Sequence, residues 1–187
     1  MADKAMSYSS QKIEFIYAMQ SKADNSSFSQ SGTLYLQGDK YKIILDDSEL
    51  MFDGTALYNY IPDAKEVTIT APEEDYDEFF LSNPSKIFSL YKQDFKYQYI
   101  GETNLNGTPG VEIDLFPFDL ERSYSRIKLW IDTQSAHIQK AEIIGKGGDS
   151  YAVTFNNIKP NVKIADDMFV FSPTEKDGIT VVDMRGL

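Results

Sequence analysis

Apolar residues recur along this chain with two periods, and the change from one to the other divides it. Between Lys12 and Ser21, residues Ile13, Ile16, Tyr17 and Gln20 fall on one helical face with Phe15 and Met19 beside them, which predicts a first helix. Beyond Asp24 to Ser27 the period becomes two. Leu34 and Leu36 alternate with Tyr35 and Gln37, Gly38-Asp39 reverses the chain, and Tyr41, Ile43 and Leu45 return, the pattern of a hairpin. Glu49 to Phe52 predicts a further short strand, Asp53-Gly54 a turn, Ala56 to Ile61 a strand, Pro62-Asp63 a turn and Val67 to Thr70 a strand.

The acidic stretch Glu73 to Glu78 has no period and reads as a loop. After it, Asn83-Pro84 supplies a cap and a first-turn proline for a second helix with Ile87, Phe88 and Tyr91 on one face. Five strands then follow at Phe95 to Glu102, Val111 to Leu115, Ser125 to Asp132, Ile138 to Ile144 and Tyr151 to Ile158, with shorter runs at Val170 to Phe171 and Ile179 to Val182. No βαβ rhythm, linker or repeat interrupts them, so residues 1–187 read as one domain, with the polar stretch Met1 to Ser10 expected to lie outside its folded part. The fold class is mainly β with a few helices. A twisted sheet of so many strands curls, and the expectation is an open, strongly curved antiparallel β-barrel with the two helices plugging its concave face.

Composition narrows the function classes. Lys+Arg 18 against Asp+Glu 29 gives a net charge of -11, which repels polyanions and excludes a general nucleic-acid binder. With no cysteine there is no disulfide, thiolate metal site, cysteine nucleophile or lipidated cysteine in these residues. No apolar run approaches the roughly 20 residues of a membrane-spanning helix, and Met1 to Ser10 lacks the apolar core of a signal peptide. The expectation is therefore a chain that does not span a membrane and whose leader has been removed.

Candidate chemistry is sparse. His137, the single histidine, lies in a turn with no second His or Cys for a triad or zinc site. Glu112 and Asp114 share one face of a strand, a spacing seen in paired-carboxylate hydrolysis, but alternation with Val111, Ile113 and Leu115 makes them the solvent side of a half-buried strand. Glu73, Glu74, Asp75, Asp77 and Glu78 lack the glycine-bearing pattern of a calcium loop. Gly145, Gly147 and Gly148 precede no helix pattern, so they form a hairpin turn and not a dinucleotide site, and neither a phosphate-binding loop nor a nucleophile elbow is present. No enzyme, cofactor or metal is expected.

Several strings, in their order, resemble the periplasmic outer-membrane lipoprotein carrier proteins (LolA-like), in particular a divergent branch seen in Bacteroidetes. They are FSQSGTLYL (Phe28 to Leu36), Lys40-Tyr41-Lys42, FDGTALYNYIP (Phe52 to Pro62), EVTI (Glu66 to Ile69) and NPSKIFSLYKQDFKYQYIGE (Asn83 to Glu102). VEIDLFP (Val111 to Pro117), IKLWID (Ile127 to Asp132), FVFSP (Phe169 to Pro173) and VVDMR (Val181 to Arg185) complete the set. The resemblance implies a periplasmic chaperone with a hydrophobic cavity that shelters the acyl chains of lipoproteins. Its implied partners are acylated lipoproteins, an inner-membrane releasing complex and an outer-membrane receptor, and it is expected to act as a monomer. By that resemblance Tyr41 and Ile43 face the cavity. Strand alternation extends the face to Leu34, Leu36, Leu45, Leu50, Ile127, Leu129 and Ile131, with Ile16, Phe88 and Tyr91 as candidates on the helices. Two departures stand out. Gly38-Asp39 occupies the place of the family's lid-contacting arginine and its proline, leaving Lys40 and Lys42 as neighbouring cations, and Tyr58 replaces a tryptophan. A general lipid carrier on the same fold, and an envelope interaction module whose interior is filled by its own side chains, are the alternative readings.

Overall fold

The computed structural model describes residues 8–72, 95–165, 167–172 and 178–186. These form one 12-stranded sheet. The strands are β1 (Gln11–Gln20), β2 (Ser27–Gln37), β3 (Lys40–Ile44), β4 (Glu49–Phe52), β5 (Leu57–Ile61), β6 (Glu66–Thr70), β7 (Phe95–Leu105), β8 (Thr108–Pro117), β9 (Tyr124–Asp132), β10 (Ile138–Gly145), β11 (Ser150–Pro160) and β12 (Thr180–Asp183). The spatial order is β12-β6-β5-β4-β3-β2-β1-β11-β10-β9-β8-β7, so the sheet is open and curved, with β12 and β7 at its edges. Every pairing is antiparallel except β12 with β6.

The first predicted helix is instead β1, paired along its whole length with β2 on one side and β11 on the other. Read at period two, the same residues place Ile13, Phe15 and Tyr17 on one face and Lys12, Glu14 and Ile16 on the other. Ile and Phe fit a pleated, half-buried surface better than a helix, and two flanking strands take up the backbone donors and acceptors of this segment. No helix occurs among the described residues, and the second predicted helix, with Ile87, Phe88 and Tyr91, lies outside them, as does the acidic loop Glu73 to Glu78. Tyr8 to Ser10 were expected outside the domain but are part of it. Ser10 is buried and its hydroxyl donates to the Val162 carbonyl at 2.5 Å, while Tyr8 Oη lies 3.1 Å from His137 Nε2. Val170 to Phe171 is not a strand.

Turn chemistry sets the register. Asn106 and Gly107 both take positive φ (52° and 87°), the backbone required for a two-residue hairpin of the right twist, and they join β7 to β8. At the β4–β5 turn, Asp53 Oδ1 accepts from the Thr55 N–H (2.7 Å), the Thr55 hydroxyl (2.7 Å) and the Ala56 N–H (2.9 Å), and Oδ2 accepts from the Tyr58 hydroxyl (2.9 Å). Gly32 pairs with Phe15, whose ring lies over the bare glycine. A Cβ there would meet that ring and stand 2.8 Å from Leu45 Cδ2.

Two predictions come from these contacts. Gly32→Ala overpacks a closed site and should lower the free energy of unfolding by about 1–3 kcal/mol, measured by urea denaturation. For Asp53, partial burial pushes the carboxyl up. The hydrogen bonds from Ala56, Thr55 and Tyr58 outweigh that and hold it at about 2, below its ordinary 3.8. A folded-state value below the unfolded one stabilises fully above the unfolded value and is lost as pH falls through the folded one. The stability gap between wild type and Asp53→Asn should therefore be open at neutral pH and close between about pH 4 and about pH 2. A gap unchanged across that window would show that the carboxylate charge contributes nothing.

Candidate functional site

Pairing places one set of side chains on a common inner face. From β2 and β3 come Leu34 opposite Ile43 and Leu36 opposite Tyr41, and β4 adds Leu50 and Phe52. From the other half, Leu115 meets Ile127, Ile113 meets Leu129 and Val111 meets Ile131 across β8 and β9, and Ile143, Ala141 and Ile138 extend the rows onto β10. β1 joins the halves through Ile13 and Phe15, opposite Ile158 and Phe155 of β11. These residues form one continuous cluster. None of the side chains that this register puts on the inner face of β1 to β4 or β8 to β11 is charged.

Leu34, Leu36, Tyr41, Ile43, Leu45, Ile127, Leu129 and Ile131 are all buried in this cluster, and Leu50 packs against it. Ile16 is not in it. As a strand residue it pairs with Ser31 and Thr154 on the outer face, because β1 alternates where a helix would have gathered Ile13, Ile16 and Tyr17 together. Phe88 and Tyr91 lie outside the described residues. The sequence reading missed Ile13, Phe15, Ile143, Val153 and Phe155, whose period-two pattern was the available signal. Burial pushes the Tyr41 phenol well above its ordinary value, and burial followed by the nearby Tyr151 pushes that of Tyr17 up, so both stay neutral over the physiological range.

The centre of the face is closed, with Ile13, Leu34, Ile43 and Ile127 at 0% exposure, but its ends are not. At the end of the sheet where β1 finishes and β2 and β11 begin, Met19 sits between Phe28 and Tyr151, both partly exposed. On β7, Tyr97 and Tyr99 continue the rows of Leu115 and Ile113 and stand 72% and 59% exposed. The apolar face therefore reaches solvent through a border of aromatic rings.

The outer face has the opposite chemistry. Glu112 pairs with Lys128 at 2.7 Å, Asp114 with Arg126 at 3.1 Å and Lys140 with Glu142 at 2.9 Å, while Lys128 and Lys140 both approach the Trp130 ring. Asp114 was expected to face solvent, yet it is buried, and its Oδ1 accepts no hydrogen bond among the described residues. Lys42 also faces outward, where Glu49 holds it at 2.8 Å. Tyr58 points outward too. It stacks on Phe171 (5.8 Å between centroids) in a second, smaller cluster with Ala56, Val67 and Ile69. Among the described residues no group of His, Asp or Glu is arranged to hold a metal ion.

A family model described as outer membrane lipoprotein carrier protein LolA matches residues 7–172. The chain belongs to the LolA family. A curated relative, the uncharacterized protein MJ0687 of Methanocaldococcus jannaschii, is 24% identical over 136 residues, which is 73% of this chain. The match spans only 38% of that longer protein. Among solved structures, an uncharacterized conserved protein from Thermus thermophilus shares the fold with a TM-score of 0.57 at 9% identity, covering 91% of this chain and 90% of its own. The Mycobacterium tuberculosis lipoprotein LppX shares it with a TM-score of 0.51 at 15% identity, covering 87% and 92%. Within this LolA-family fold, β1 to β4 and β8 to β11 turn uncharged side chains inward and ion pairs outward.

The Asp114–Arg126 pair gives a direct test of that division. Arg126→Gln leaves a buried carboxylate without its cation and should destabilise by about 1–3 kcal/mol. Asp114→Asn in the same chain should recover most of the loss. A double variant as unstable as the single one would mean that Arg126 acts through packing alone.

Proposed function

We propose that this protein shelters the acyl chains of lipoproteins against its inner face and carries them through the periplasm from the inner to the outer membrane. The observation that carries the reading is the uncharged inner face, continuous from β4 across β1 to β8 and open to solvent at aromatic borders. Each methylene taken from water is worth about 0.8 kcal/mol, so an acylated protein stays in the membrane unless a surface of this kind receives its chains. The face supplies that apolar surface without a buried charge opposing it, and family membership agrees with the reading. Chains enter at the exposed borders, and the closed centre is reached as the strands move apart. A carrier must also release its cargo. A face of aliphatic and aromatic side chains with no covalent or ionic grip on the ligand allows release to a more apolar receptor, and no bond-making chemistry is required of any residue. The inner-membrane releasing complex and the outer-membrane receptor are the partners this role calls for.

A second reading has its own support: complete burial of Ile13, Leu34, Ile43 and Ile127 is what an interior filled by its own side chains shows. Native mass spectrometry separates the two. A triacylated lipopeptide should bind one-to-one, with the same peptide lacking acyl chains leaving the protein free. Preference for plain phospholipid would make the protein a general lipid carrier, and binding of neither would leave an interaction module.

A further inference from the structure

The edge strand β7 differs from the other edge of the sheet. β12 also exposes Val181 and Val182, but it is only four residues long and ends in Asp183, which holds Arg185 at 2.6 Å, and short edges of this kind resist pairing. β7 runs for 11 residues, and from Lys96 to Ile100 every residue is exposed, on both faces of the strand. Three of these are large and apolar: Tyr97, Tyr99 and Ile100 at 72%, 59% and 49%. Among the described residues no strand lies on its outer side, and none of them supplies partners for the row of backbone N–H and C=O groups there. A bulge between Tyr99 and Gly101 divides β7 into two regular stretches, Phe95 to Tyr99 and Gly101 to Leu105, and the first of them carries the exposed rings of Tyr97 and Tyr99.

Two properties of this edge identify its occupant. Open main-chain donors and acceptors on a regular strand are matched by another extended polypeptide. Tyr97 and Tyr99 also belong to the rows of Leu115 and Ile113, so the edge is the border of the inner face. A strand added there lies about 4.8 Å from β7, with alternate side chains directed onto that face. A second copy of this chain is the weaker fit, because each copy carries a net charge of -11. We propose that β7 binds the polypeptide segment adjoining the acyl chains of the cargo by adding it to the sheet as a strand, while the acyl chains lie on the inner face. This rests on the acyl-carrier reading and assigns the cargo's peptide a site of its own.

The test compares three probes on the whole protein: palmitate, a short triacylated peptide, and the same lipopeptide with alternate backbone amides N-methylated. Loss of two or three net hydrogen bonds should weaken the methylated probe about tenfold. Hydrogen exchange at the amides of residues 96–100 should slow with the unmodified lipopeptide and stay unchanged with palmitate. Tyr97→Ser with Tyr99→Ser should weaken the lipopeptide more than palmitate, and because both rings are exposed the fold has little to lose. Equal affinity for both lipopeptides with unaltered exchange in β7 overturns the proposal and leaves acyl binding standing. Failure of all three probes to bind overturns the carrier reading and this inference with it. Protection of β7 in the protein alone, rising with concentration, assigns the edge to a second copy and also overturns it.

Discussion

Strand β1 is hydrogen-bonded along both sides, to β2 and to β11, and among the described residues it is the only element that links the two halves of the sheet. On one side stand β2 to β6 with β12, and on the other β11 back to β7. Each half on its own would have a bare edge and half of an apolar face. Ile13 and Phe15, fully buried where the halves meet, turn the two into one surface. The register of β1 also decides which side chains that surface contains, because a slip of one residue would present Lys12, Glu14 and Ile16 inward. The continuity of the inner face depends on that single seam.

The apolar side of the sheet is not the same along its width. From β1 through Leu57 of β5 the inner face is mostly aliphatic and aromatic, with Gln11 and Gln30 its uncharged polar members. Beyond it the inner rows carry Asn59, Thr68 and Thr70, and the apolar residues Tyr58, Tyr60, Val67 and Ile69 are on the outer side, covered by Phe171 and Ile179. The apolar inner surface thus ends on that flank at a polar border. On the opposite flank it continues to β7 and into solvent. A ligand held by apolar contact is confined on one side and free to project on the other, which gives the surface a direction as well as an area.

Much of this was legible in the sequence, and the exceptions have physical causes. The meander from Leu34 to Thr70 and the strands from Phe95 to Ile158 announced themselves by strict alternation and turn residues, and eight of the cavity candidates read from them are buried in one cluster. Strand β1 was misread because Ile16 and Met19 complete a helical stripe on the same residues that alternate as a strand. A central strand is apolar enough on both faces to satisfy either period, and only its long-range partners decide between them. That error carried Ile16 onto the wrong side. Asp114 misled in the other direction. Alternation places it outward correctly, but whether an outward carboxylate meets water depends on its neighbours, and pairing across strands brings Arg126 there. The exposed aromatics of β7 were also hidden, since period-two reading locates a strand without saying that it will be the last one in the sheet.

The seam also orders the events of folding. β1 finds β2 within a tight local excursion, but its other partners run from Ser150 to Pro160, so Gln20 waits 130 positions (150 minus 20) and Gln11 waits 149 (160 minus 11). Contacts so distant along the chain close slowly, because the entropy of a long loop is lost before the pairing compensates for it. Until nearly the whole chain has emerged, the first strand has a bare edge and an uncovered apolar face. A molecule proposed to shelter the apolar chains of others thus passes through a stage in which its own first strand has no shelter.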